Sequence, residues 1–150
     1  YKSINENIVG VGKFYLSTIN GLGSDDVRVS KRKNLSSKRI RGFKKNKIGP
    51  VDNNDYIGGN YAAALNFEAN LPKILPEDTN TDLSIFLDFG NLWGVDYDSS
   101  LDNSKIRSST GLSIDWLTPV GPLNFVFAQP ISKSSTDVEQ TFRFDIGTTF

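Results

Sequence analysis

The chain has no cysteine, no histidine and no methionine among its 150 residues. Without Cys or His there are no thiolate nucleophiles, no histidine general bases and none of the usual zinc or haem ligands. No serine sits in a recognisable nucleophile elbow, so an enzyme is the weakest functional class and no cofactor is expected. The missing cysteine fits any redox compartment. With Tyr1 first and no Met, we expect a fragment or a processed product, and no basic-apolar-small leader marks a signal peptide in it. Apolar runs fall well short of the ~18–20 residues of a transmembrane helix. That excludes a helical membrane protein but not a barrel, whose strands need an apolar residue only at every second position.

Charge is balanced in total, with 17 basic and 17 acidic residues, but not along the chain. Nine basic residues lie between Lys31 and Lys47, and no Asp or Glu falls between Val27 and Val51. A basic run can mark a nucleic-acid surface. Here it has no interleaved aromatic except Phe43 and lies between strand-like segments, so no nucleic-acid partner is expected.

What is present is alternation of period 2, the pattern of a strand with one wet face. Leu65, Phe67, Ala69 and Leu71 oppose Asn66, Glu68 and Asn70. Ile85, Leu87 and Phe89 oppose Asp88 and Gly90. Leu112, Ile114 and Trp116 oppose Gly111, Ser113 and Asp115, and Leu123, Phe125 and Phe127 oppose Asn124, Val126 and Ala128. Last, Phe142, Phe144, Ile146, Thr148 and Phe150 oppose Arg143, Asp145, Gly147 and Thr149. Turn-forming clusters separate these five strands, among them Asp52-Asn53-Asn54-Asp55 and Thr118-Pro119-Val120-Gly121-Pro122. Two further strands are predicted around residues 8–19 and 27–33.

Alternation alone fits a soluble sandwich as well as a membrane barrel. Large apolar residues on one face of every strand, acids at mid-strand on the other, and aromatics at strand ends (Trp93, Trp116, Phe150) favour the barrel. Two motifs go further. Ile40-Arg41-Gly42-Phe43 is followed by Gly49-Pro50 and Gly58-Gly59-Asn60, and the chain closes on Phe142-Arg143-Phe144-Asp145-Ile146-Gly147-Thr148-Thr149-Phe150. Between them lie Leu87-Asp88-Phe89-Gly90-Asn91-Leu92-Trp93 and Trp116-Leu117-Thr118-Pro119-Val120-Gly121-Pro122-Leu123. Together, from about Lys33 to Phe150, these blocks resemble the C-terminal barrels of the bacterial surface antigen, or POTRA-barrel, superfamily, and the Thr118-Pro119-Val120-Gly121-Pro122-Leu123 block looks more like its BamA and TamA branches than the organellar ones.

The resemblance implies an all-β fold, the C-terminal part (about seven antiparallel strands) of a sixteen-stranded transmembrane β-barrel in the bacterial outer membrane. Such an open sheet would not fold alone, because lipid does not tolerate unpaired strand edges. It also implies a long loop, residues 34–59, that folds back into the barrel and carries Ile40, Arg41, Gly42 and Phe43. Glu68 and Asp88 on the inner wall would be the acidic partners of Arg41, whose planar fork suits carboxylates. A terminal signal strand, residues 139–150, would carry Phe142, Phe144, Gly147 and Phe150 and form one side of a lateral gate.

We further expect the basic stretch and the inward acids Glu68, Asp88, Asp115 and Asp145 to be complementary as a set. The function implied is folding and insertion of outer-membrane β-barrel proteins, without ATP or cofactor. Its partners would be unfolded outer-membrane proteins, outer-membrane lipid and lipopolysaccharide, and accessory lipoproteins. A TamA-like or two-partner secretion pore of the same superfamily, and a passive porin-like barrel, are the alternatives.

Overall fold

The structure is a computed structural model that describes residues 2–5 and 8–147, with side chains described from Ile8 onward. Seven strands form one antiparallel meander. They are β1 (Lys2–Asn5), β2 (Ile8–Thr18), β5 (Tyr61–Asn70), β6 (Thr81–Trp93), β7 (Arg107–Thr118), β8 (Gly121–Ser132) and β9 (Phe142–Ile146), hydrogen-bonded in that order. A small hairpin of β3 (Val51–Asp52) and β4 (Asp55–Tyr56) stands apart. Its turn residues Asn53 and Asn54 both take positive φ, as a two-residue hairpin loop requires. Among the described residues no helix is long and apolar enough to cross a membrane, which says nothing of strands.

The alternation fixes which face of each strand is which. Register pairs Leu65 with Phe89, Phe67 with Leu87, Ile85 with Leu112 and Phe127 with Phe142, so the apolar positions of neighbouring strands fall in rows on one face. That face is uncovered: Phe14, Phe67, Ile85, Leu112, Phe127 and Ile146 are all exposed. A contiguous apolar face of this extent is what a barrel turns toward lipid. Trp93 stacks on Tyr61 at 5.7 Å between ring centroids, at the end of the sheet where the long loops lie.

The other face is covered from within the chain. Residues 19–60, which connect β2 to β5, run back across it. Leu35, Ile40, Phe43 and Ile48 of this loop are buried against Ala62 and Ala64 of β5 and Leu92 of β6. Small wall residues make the room. A Cβ on Gly90 would lie only 3.0 Å from Leu35 Cδ1 and 3.2 Å from Ile40 Cδ1.

One predicted strand is absent. Residues 27–33 form an irregular segment with a single 3-10 turn at Val29–Lys31. The physical reason is pairing. β2 bonds directly to β5 along ten residue pairs, from Val9–Asn70 to Thr18–Tyr61, which leaves residues 27–33 no edge to join. Val27 is buried as a loop anchor while Val29 is exposed. The seventh strand is instead β1, which lies on the other side of β2. Within the expected terminal strand 139–150, the strand itself is Phe142–Ile146; Thr148, Thr149 and Phe150 lie outside the described residues.

Candidate functional site

The long loop docks through Arg41. A tight turn at Ser36–Ile40 brings the motif to the wall, with the Arg39 N–H donating to the Ser36 carbonyl at 2.9 Å. The Asn66 side chain on β5 donates to the Arg39 carbonyl at 2.8 Å, and the Arg39 guanidinium lies over the Tyr15 ring of β2. Arg41 then spans two strands. Its Nε and Nη2 donate to the two oxygens of Asp88 on β6, at 2.7 and 2.8 Å, in a bidentate fork. Its Nη1 donates to Glu68 Oε2 on β5 at 2.7 Å, and its backbone N–H donates to Asp88 at 3.0 Å. The guanidinium also stacks on Phe86, 3.7 Å from the ring centroid, and the Ser109 hydroxyl of β7 donates to the Arg41 carbonyl.

Asp88 has no exposed surface and Arg41 is nearly as buried. A buried charge is tolerable only when paired and hydrogen-bonded, and here every oxygen of Asp88 is used. Burial disfavours the charged form of Arg41, but the bonds and charges of Asp88 and then Glu68 outweigh it and raise its pKa. Gly42 follows with φ +88°, and a Cβ there would lie 3.2 Å from Ser109 Cβ and 3.3 Å from Ala128 Cβ. Only glycine combines that backbone angle with so close an approach to the wall. Phe43 is fully buried in the loop core beside Ile40.

The structure thus brings Ile40, Arg41, Gly42, Phe43, Glu68 and Asp88 together in one place. The terminal-strand residues are elsewhere. Phe142 and Phe144 sit on the outer face, packed on Phe127 and Phe125 at centroid distances of 5.1 and 5.0 Å. Gly147 takes φ +104° just past β9, and its N–H donates to the Pro122 carbonyl at 2.9 Å. Phe150 is outside the described residues.

The expected charge set does not form as a whole. Of its four acids, only Glu68 and Asp88 meet the basic loop. Asp115 accepts from Asn124 at 2.7 Å and joins no ion pair among the described residues, and Asp145 pairs with Arg143 of its own strand at 2.7 Å. Arg41 alone reaches the wall acids because it sits at the point of the loop's turn.

Two further ion pairs with a buried arginine escaped the sequence reading. Arg107 opens β7 and forks onto Asp137 at 2.9 and 3.0 Å, with both side chains fully buried. Extending the β7 phase backwards from Ser113 and Gly111 would have placed Arg107 on the inner face. Arg32 pairs with Asp96, which also accepts the Val27 N–H at 2.7 Å and the Asn60 side chain at 3.0 Å. Partial burial raises the Asp96 pKa, but the Val27 N–H, Asn60 and the Arg32 charge outweigh this and hold it down to about 2. These partners are far apart in sequence, and no local pattern announces them.

A family model described as the Omp85 superfamily domain matches residues 1–150. The chain is 30% identical over 139 residues to outer membrane protein assembly factor BamA of Neisseria meningitidis serogroup B (strain ATCC BAA-335 / MC58), covering 74% of this chain and 17% of that protein. It is 31% identical over 115 residues to the factor of the same name in Neorickettsia risticii (strain Illinois), covering 74% and 16%. The crystal structure of BamA from Haemophilus ducreyi lacking POTRA domains 1-3 superposes with a TM-score of 0.82 at 26% identity, covering 94% of this chain and 32% of that one. The chain therefore spans less than a fifth of the length of these curated relatives.

Proposed function

The chain belongs to the Omp85 superfamily, and from that premise we propose that it is the C-terminal barrel portion of a factor that folds and inserts β-barrel proteins into the bacterial outer membrane. Its fold is all-β, it resembles BamA barrels in sequence and structure, and its location is the outer membrane. The observation that carries the assembly reading is the inner loop, residues 34–59, held by Arg41 on Asp88 and Glu68. A loop fastened across the inner wall by a buried fork fills part of the lumen, which does not favour a wide passive channel.

In this reading β9 is one side of a lateral gate. Incoming strands of unfolded outer-membrane proteins add along β9 by β-augmentation, which satisfies their backbone groups as they enter lipid. Phe142 and Phe144 supply the apolar outer surface of the gate strand, Gly147 a bend beside it, and Phe150 the aromatic end. The work is done by backbone pairing and membrane contact, without ATP, cofactor or catalysis. Lipid and lipopolysaccharide meet the outer face and the exposed lysines of the loop, and accessory lipoproteins act with the full-length protein.

The test is depletion of the full-length protein, with complementation by wild type or Arg41→Ala. Depletion should lower the heat-modifiable, folded form of several unrelated porins, and Arg41→Ala should restore them only in part. If depletion leaves porins folded and abolishes the export of one polypeptide, the chain belongs to a secretion pore instead.

A further inference from the structure

The loop's backbone bonds run chiefly to the residues that lead into β9, not to the wall. The Gln140 N–H donates to the Gly42 carbonyl, the Lys44 N–H to the Val138 carbonyl and the Val138 N–H to the Lys47 carbonyl, each at 2.9 Å. These bonds form a short antiparallel ladder in which Phe43 faces Glu139. Three side-chain contacts flank it. Arg143, the first inward residue of β9, donates to the Ser37 carbonyl of the loop. The Tyr56 hydroxyl donates to the Thr136 carbonyl, and the Gly49 N–H donates to Asp137 at 3.4 Å. β9 itself pairs with β8 over only five residue pairs, Leu123–Ile146 to Phe127–Phe142.

We propose that the long loop is a latch on the last strand. With Arg41 on Asp88 and Glu68, the Gly42–Lys47 segment holds residues 138–140, and so the start of β9, against the sheet. When the loop lifts, those backbone groups lose their partners together and β9 frays from its N-terminal end. The Arg107–Asp137 pair keeps the preceding turn on β7, so the release is local rather than an unfolding of the whole connection. A strand fastened by few bonds is where local opening begins. The geometry of the latch is independent of the assembly reading; its consequence for a gate rests on that reading.

Amide hydrogen exchange on the full-length protein in lipid nanodiscs tests this. Asp88→Asn weakens loop docking. Val138→Pro removes the N–H that donates to Lys47 and leaves every ion pair in place. In both variants the amides of residues 142–146 should exchange at least ~10-fold faster, with those between β6 and β7 unchanged. The loop should become protease-sensitive only in Asp88→Asn. If residues 138–140 exchange freely in Asp88→Asn while 142–146 keep their protection, the latch is wrong.

Should Val138→Pro not fold, a Phe43→Cys, Glu139→Cys pair replaces it. Facing residues of a non-hydrogen-bonded pair lie at a spacing a disulfide accepts, and the chain has no other cysteine. Oxidation of that pair in the Asp88→Asn background should restore β9 protection; continued fraying would overturn the proposal. Client folding read on the same samples separates the two readings. Exchange as expected in a protein that folds no client keeps the latch and removes the assembly role, and the reverse removes the latch alone.

Discussion

On β6, Asp88 has no contact with solvent, while Ile85, three residues away on the other face, is 46% exposed. A water-soluble domain would invert that arrangement. Around Asp88 the inner face is polar yet buried, because a loop from the same chain covers it and supplies an arginine for Asp88 and Glu68. The outer face is apolar yet bare, because lipid is its intended neighbour. The two faces of one sheet therefore follow different rules. Inside, a charge is acceptable when its partner is in place. Outside, no charge is acceptable, and apolar residues need no specific partner.

The strongest way to break this contrast is to orphan the inner charge. Asp88→Ala leaves Arg41 buried with only Glu68 beside it and should destabilise the full-length protein by up to about 3–5 kcal/mol, the penalty for a buried ion that loses its partner. Equilibrium unfolding in lipid would measure it, and a loss below 1 kcal/mol would mean that the loop leaves the wall at little cost.

A smaller effect should follow from placing a charge on the outer face. Leu112→Lys, in the middle of the exposed apolar rows, should cost about 2–4 kcal/mol in the same measurement if that surface meets hydrocarbon. No change would mean that this part of the sheet faces water.

The smallest effect lies at the rim and is read by pH. Asp96 has a folded pKa of about 2, below the ordinary 3.8. Its contribution is therefore complete above the unfolded value and is lost as pH falls through about 2. The Val27 amide resonance, which reports the bond to Asp96, should titrate near 2 in the wild type and not at all in Asp96→Asn. A midpoint near 3.8 would show that the Arg32 and Asn60 contacts do not hold the carboxylate.

The sequence by itself determined six of the seven strands of the large sheet and the opposite faces of their side chains. Side chains alternate across any strand, so Phe67 and Glu68, or Ile85 and Asp88, could be assigned to opposite faces without knowing the fold. Gly42 was expected at the wall only as part of the motif that carries the family resemblance. Pairing of Arg41 with Glu68 and Asp88 was expected only by family resemblance. Distance along the chain, 27 and 47 residues, carries no trace of it.

Tertiary structure decided the rest. Residues 27–33 alternate weakly enough to suggest a strand, yet β5 already occupies the edge of β2 they would need. Arg107 with Asp137, Arg32 with Asp96, and the ladder between Gly42–Lys47 and Val138–Gln140 all join segments that meet only after the loop folds back over the sheet. The period of a strand is a local property of the backbone, and so it is written in the sequence. The partner of a buried charge or of a loop amide depends on which surfaces the chain closes against each other, and only the folded barrel wall settles that.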